Sequence, residues 1–284
     1  MPLVLYAIPA FLGLLLLEWL SFRFRPDDAA LGYRGRDTAT SLSMGIGNVV
    51  INLAWGLVVV AAYVATYQLT PLRIPMDSWW AWALLLVADD LAYYWFHRVH
   101  HESRFFWASH VVHHSSQRYN LSTALRQTWT PMTSLPFWLP LLLVGFPPYA
   151  VLTMQAVSLL YQFWIHTERI HRLWAPLEWV LNTPSHHRVH HGSNRQYLDR
   201  NYGGILIVWD RLFGTFEPER ERVRYGLTTN IATSNPVRVA FHEYVALGRD
   251  VRAGNSWRTR WHLAFGRPGW TPAVLDPGLS PAGR

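Results

Sequence analysis

The sequence predicts an all-α integral membrane protein: three N-terminal spans and a helical hairpin beneath a cytoplasmic helical cap that carries a histidine-rich di-metal site. Three observations support this prediction. Long apolar runs open the chain, and only 15% of its residues are charged, against about 25% in soluble domains. A dense histidine stretch, HRVHHESRFFWASHVVHH, runs from His97 to His114. A second, HHRVHH, occupies His186 to His191.

Residues 3–20, LVLYAIPAFLGLLLLEWL, carry one charge, Glu18, over about the 20 residues a spanning helix needs. The run lacks a basic segment before it, so it reads as a retained helix and not a signal peptide. A loop with Arg23, Arg25, Arg34 and Arg36 precedes a second apolar span, Leu42 to Tyr67, whose Gly45, Gly47 and Gly56 permit close helix contacts. The next connection, Gln68 to Ser78, holds only Arg73. This arginine bias places the first loop in the cytoplasm and the N-terminus outside. A third span, Trp79 to Phe96, then delivers His97 to the cytoplasmic side. Within it, Asp89 and Asp90 are ionisable groups where lipid makes charge expensive, which marks them as functional.

Ser115 to Thr130 is polar and amphipathic and reads as a surface helix. Residues 134–165 hold no charge, and Pro147-Pro148 splits them into two pieces, each short for a full span. A hairpin that dips in and returns to the same side brings His166 back to the face bearing His97 to His114. Asn201 to Phe216, NYGGILIVWDRLFGTF, reads as a strand or a buried helix end. The tail to Arg284 is rich in Arg, Pro and Gly, without a strong period, and parts of it are expected to be poorly ordered.

On helices, His97 and His101 are i and i+4, and His110, His113 and His114 share a face, as do His187, His190 and His191. Eight imidazoles from three segments exceed one four-coordinate zinc and suit two metals that each keep an open position. His166 is the ninth candidate ligand. Asp90 and Glu168 are the candidate catalytic residues. Asp90 lies on one stripe with Tyr94, His97 and His101, placed to accept the N–H of a ligating imidazole or, alternatively, to join two helices. Glu168 reads as an oxygen ligand or a partner of His166. His100, His171, His186, His242 and His262 fall off these stripes or stand alone, and read as ordinary polar histidines.

Several functions fail on residue type. The chain has no cysteine, which excludes disulfides, thiolate nucleophiles and iron–sulfur clusters. All 25 basic residues are arginine, so no lysine serves as Schiff base or general base. The formal charge of +7 is scattered, pointing to anionic lipid and away from nucleic acid. No G-x-S-x-G elbow or phosphate loop is present, and HRVHH lacks the glutamate of H-E-x-x-H. What remains is a pair of nitrogen-ligated metals at a membrane face. A substrate delivered from the bilayer offers mainly C–H bonds, whose attack requires activated dioxygen, so the expectation is a di-iron oxygenase acting on a lipid. Two alternatives from other classes stay open: a non-catalytic membrane metal-binding or transport protein, and a zinc hydrolase of lipid esters.

The order H-x3-H, H-x2-HH, H-x2-HH around an apolar hairpin resembles the fatty acid hydroxylase and sterol desaturase superfamily, over roughly residues 85–228. The texture of DLAYYWFHR at 90–98, SHVVHHSSQRYNLSTALRQ at 109–127, HTE at 166–168 and NTPSHHRVHHGSN at 182–194 is similar to its alkylglycerol monooxygenase-like branch. The resemblance implies two irons held by His97, His101, His110, His113, His114, His187, His190 and His191, with His166 beside them. It implies O2, a membrane lipid and an external electron donor as partners. That donor is a cytochrome b5- or ferredoxin-like carrier or, in the alkylglycerol branch, tetrahydrobiopterin. The implied organisation is membrane helices over 1–78, a fatty acid hydroxylase-type catalytic domain over 79–228 and a cytoplasmic tail over 229–284.

Overall fold

The computed structural model describes residues 2–27 and 30–272, and the end of the tail, 273–284, lies outside the described residues. Among these, the chain forms helices α1 (Pro2–Phe24), α2 (Gly35–Gln68), α3 (Trp79–Glu102), α4 (Arg104–His114), α5 (Leu139–Leu143), α6 (Pro148–Trp164), α7 (Ala175–Val180), α8 (Pro184–His190), α9 (Val208–Phe213), α10 (Pro236–Ala253) and α11 (Trp257–Phe265). No strand occurs among the described residues. Two isolated bridges, Leu181 to Leu206 and Gly192 to Tyr225, are the only β pairings found there.

By length and composition, Leu3–Phe24 and Gly35–Gln68 can cross a membrane. Their most apolar windows are 11% and 6% buried in the protein, so neither is the core helix of a soluble domain. Val50, Leu53 and Leu57 on α2 are each 60% exposed or more, a contiguous apolar face that water does not tolerate. α3 does not join them in apolarity. Asp89 and Asp90 instead turn inward and are buried, and Asp89 accepts a 2.8 Å bond from Trp138 Nε1.

α2, α3, α5 and α6 enclose the largest apolar core, in which Tyr63, Leu85, Trp138, Leu142, Phe146 and Val151 pack together. The α5–α6 pair is the hairpin read from the proline break. Gly145 turns it at φ +103, where an added Cβ would lie 2.9 Å from the Leu72 carbonyl carbon, so glycine is required there. α1 leans on α6 through Phe11 stacked on Phe163 at 4.0 Å, and buried Glu18 accepts from Leu121 N at 2.8 Å as well as from Tyr33 and Thr167.

Three segments differ from expectation. Residues 115–130 form a buried loop with one helical turn at Thr123–Leu125 instead of a surface helix. Their polar groups are consumed internally: Arg126 reaches Asp37 at 2.6 Å and Ser41 at 3.1 Å, and Asn120 reaches the Gly32 carbonyl at 2.9 Å. Within the tail, residues 236–253 and 257–265 are ordered helices where composition offered no strong period. Asn235 caps α10 by accepting from Val237 and Arg238, and α10 packs Val239 and Ala240 against Val112 of α4 and Met44 of α2. Asn201 to Phe216 is a loop closed by the short helix α9, not a strand.

Candidate metal centre

Four pieces of chain meet under this core. α3 supplies His97 and His101, one turn apart, and α4 supplies His110, His113 and His114. His166 follows the end of α6, and α8 supplies His187 and His190, with His191 at its C-cap. Pro184 at the first position of α8 suits a helix start, where its missing N–H costs nothing.

These rings form two donor groups. In one, His97, His101, His110, His114 and His190 each place a nitrogen within 4.8 Å of the others; in the second, His113, His166, His187 and His191 do the same. Within the first, His110 Nε2 lies 3.0 Å from His97 Nε2 and 3.1 Å from His114 Nε2. Within the second, His166 Nε2 lies 3.1 Å from His113 Nε2 and 3.0 Å from His187 Nε2.

The donor chemistry fits metal ions. Buried polar atoms are almost always paired, yet His101 Nε2, His187 Nδ1, His190 Nε2 and His191 Nε2 are buried with no hydrogen-bond partner. Several outer nitrogens, by contrast, are anchored on backbone carbonyls. His97 Nδ1 donates to the Tyr202 carbonyl at 2.8 Å, His190 Nδ1 to Arg200 at 3.0 Å, His166 Nδ1 to Gln162 at 2.7 Å and His113 Nδ1 to Arg126 at 3.3 Å. Such a bond fixes the tautomer and leaves Nε2 as an inward lone pair. Burial, followed by repulsion from neighbouring imidazoles, holds His110, His114, His187 and His191 well below the ordinary imidazole range. Burial likewise lowers His113 to about 4 and His190 to about 3. The rings are therefore neutral at pH 7, the ligating form.

The two candidate carboxylates sit elsewhere. Neither Asp90 nor Glu168 belongs to a donor group. Asp90 accepts no imidazole N–H; it receives Ile205 N at 2.7 Å, Leu206 N at 3.0 Å and Trp209 Nε1 at 3.0 Å. The role expected of it falls to the Tyr202 carbonyl, in the loop that Asp90 secures. Glu168 accepts from Leu31 N at 2.8 Å and so ties the end of the hairpin to the first loop.

Sequence reasoning missed Asp210, Asn201 and Glu178. Fully buried Asp210 accepts Tyr202 N at 2.7 Å, Gly203 N at 2.8 Å and Thr215 Oγ1 at 2.6 Å. Burial lifts its carboxyl to about 6, against the downward pull of those bonds. Asp199 and Asn201 both adopt left-handed backbone, φ 57 and 56, a conformation that short polar side chains tolerate best. They flank Arg200 and so aim its carbonyl at His190. Glu178 lies behind α8, accepting Ser185 Oγ at 2.7 Å, Thr183 Oγ1 at 2.8 Å and His186 Nε2 at 3.0 Å. His186 thus has a structural partner, as does His100, which bonds the Phe96 carbonyl at 2.7 Å and Thr133 at 2.9 Å. The paired glycines 203–204 beside WD were the available signal. An added Cβ on Gly204 would stand 2.8 Å from both Asp90 Oδ1 and the Tyr93 ring.

Comparison with known proteins agrees with this geometry. The fatty acid hydroxylase family pattern matches residues 82–215, which contain every donor of both groups. Alkylglycerol monooxygenase of Homo sapiens is 43% identical over 280 residues, covering 96% of this chain and 61% of its own length. The Xenopus tropicalis protein of the same name is 45% identical over 250 residues, 87% of this chain and 55% of its own. Ornithine lipid hydroxylase OlsE of Rhizobium tropici is 30% identical over 151 residues, 52% of this chain and 45% of its own. The chain thus spans little more than half the length of its alkylglycerol monooxygenase relatives. No solved structure matches it. Residues 82–215 thus match the fatty acid hydroxylase family, and over nearly its whole length the chain is similar to alkylglycerol monooxygenases.

Proposed function

We propose that this chain is a membrane di-iron oxygenase that uses O2 and electrons from outside the chain to hydroxylate, or desaturate, a C–H bond of a lipid. The observation that carries the reading is the division of nine imidazoles, eight buried and His110 partly so, into a five-donor and a four-donor group, with inward nitrogens left unpaired. His97, His101, His110, His114 and His190 would hold one iron, and His113, His166, His187 and His191 the other. Two irons so held supply the dioxygen activation that an unactivated C–H bond demands. The chain's own part is to keep the imidazoles neutral, to fix their tautomers through the carbonyls of Arg126, Gln162, Arg200 and Tyr202, and to exclude water. Asp90 acts through the backbone it holds.

In this reading α1 and α2 span the bilayer, α3 is a third span, and α5–α6 is a re-entrant hairpin that returns His166 to the cytoplasmic face. The arginine-rich first loop supports that orientation. The catalytic unit occupies 79–228 and the cytoplasmic tail 229–284, whose helices α10 and α11 pack against that unit. Purified, reconstituted protein should contain about two irons per chain and consume O2 only with lipid and reductant. Zinc in place of iron, with ester hydrolysis in the absence of oxygen, would overturn the proposal.

The 43% identity to the human relative, in an alignment covering 96% of the chain, favours a more specific second reading, an alkylglycerol (glyceryl-ether) monooxygenase dependent on tetrahydrobiopterin. Supplying an alkylglycerol with tetrahydrobiopterin in one arm, and a fatty acyl lipid with cytochrome b5 or ferredoxin in the other, separates the two. Product gaining one oxygen, losing two hydrogens or released as an aldehyde distinguishes hydroxylation, desaturation and ether cleavage.

A further inference from the structure

α11 presents Trp257, Trp261 and Phe265 at i, i+4 and i+8, one face of a helix. That face is uncovered: Trp257 is 79% and Trp261 55% exposed. Trp261 lies against Phe265 with ring centres 4.5 Å apart, and Phe265 continues to Phe105 of α4 at 5.6 Å. With Val251 and the stems of Arg252 and Arg260, these residues line an apolar cleft between α10 and α11.

The charge around this face has one sign. Arg252 and Arg258 are exposed and enter no ion pair among the described residues. Arg260 spends its Nε on the Gly254 carbonyl at 3.0 Å. The nearby acids are already committed, Glu243 at 2.8 Å and Asp250 at 2.7 Å to Arg104. The Arg104 N–H in turn donates to the Gly266 carbonyl at 2.9 Å, which ties the end of α11 to the α3–α4 junction.

We infer that the end of α10 together with α11 is a foot that binds the anionic phospholipid surface of the membrane. The tryptophans and Phe265 lie at the level of the headgroups and upper acyl chains, and Arg252, Arg258 and Arg260 meet the phosphates. Tryptophan favours that depth because its ring is apolar and its N–H polar. A basic, aromatic helix of low overall hydrophobicity lies on a bilayer and does not cross it, and each arginine near an anionic surface favours docking by about fivefold. The inference requires a bilayer beside the chain, but not iron in the histidine groups.

The absence of cysteine permits a direct test. Full-length protein carrying a nitroxide at Trp261→Cys, or at Trp257→Cys should the first fail to fold, is placed in nanodiscs of phosphatidylcholine with or without phosphatidylserine. Exposed Arg195→Cys is the water-facing control. Relaxation by O2, which concentrates in lipid, is compared with relaxation by a water-soluble nickel chelate. The oxygen-to-nickel ratio at 261 should exceed that at 195, most strongly with phosphatidylserine. Arg252→Gln with Arg258→Gln should sharply reduce the phosphatidylserine-dependent part, leaving only the share of Arg260. A label at 261 as nickel-accessible as that at 195 in both compositions overturns the inference. A label shielded from both reagents also overturns it, assigning the face to a second copy or a protein partner.

Discussion

The two imidazole groups share α4 and α8 but are held in different ways. The five-donor group rests on the loop 199–206. That loop offers carbonyls to His97 and His190 and is itself clamped by Asp90 and Asp210. The four-donor group depends on the return of the hairpin, which brings in His166, and on an aromatic plate. Tyr119 stacks 5.8 Å from His166, lies 5.1 Å from His191 and is backed by Tyr225 at 4.9 Å, nearly parallel. One group is thus oriented by carboxylates acting through backbone, the other by long-range packing. A local polar substitution should therefore disturb the first and spare the second.

The largest expected effect tests whether the groups are separable at all. His101→Ala and His187→Ala should each lower iron from about two to about one per chain, measured by elemental analysis, with different Mössbauer signatures for the iron that remains. Complete loss of iron in both variants would break the comparison. Next, Asp210→Asn removes a buried charge that accepts three bonds and should cost about 2 kcal/mol in denaturant unfolding. Its iron deficit should match that of His101→Ala and not that of His187→Ala. Gly204→Ala forces the loop off Asp90 and Tyr93 and should cost about 1–2 kcal/mol, again with the four-donor group intact.

Glu178 gives the smallest effect and touches both groups alike, since it braces the start of α8. Burial pushes its carboxyl up, but bonds from His186, Ser185, the Leu173 N–H and Thr183 outweigh this and hold it near 2. The folded value lies below the unfolded 4.5. Its contribution is therefore complete above pH 4.5 and is lost as pH falls toward 2. Glu178→Gln should flatten that acid limb in pH-dependent unfolding, and a steeper limb would contradict the assignment.

That these imidazoles converge was legible from helical period, but their division into two groups, which separates His113 from His110 and His114 and His190 from His187 and His191, was not. The same rule set aside His100, which bonds Phe96 and Thr133. His166 could be read because a charge-free stretch broken by two prolines was expected to fold back, and the structure does bring His166 beside His113 and His187. Asp90 illustrates where the reading fails: its stripe was right and its partner wrong, because backbone N–H groups are invisible in a side-chain pattern. Residues 115–130 looked like a surface helix for a related reason. Their serines, asparagine and arginine are polar in sequence, but each finds a buried partner only after folding. The amphipathic period of α10 was present in the sequence, with Val239, Ala240 and Leu247 on its buried side, and was overlooked in a tail rich in arginine, proline and glycine.

The length of α2 has a consequence of its own. Thirty-four residues make a rod of about 51 Å, against about 30 Å of hydrocarbon. On the membrane reading, its N-terminal turns rise clear of the lipid. There Asp37 grips Arg126, Thr40 meets Ser234, and Gly47 admits the Trp129 ring where a Cβ would stand 2.4 Å from it. A stiff mast then sets the stand-off between acyl region and reaction chamber, with no slack tether to stretch. Which methylene of a tail is presented becomes a matter of measured reach, and bilayers of different thickness should shift the position of attack along the chain.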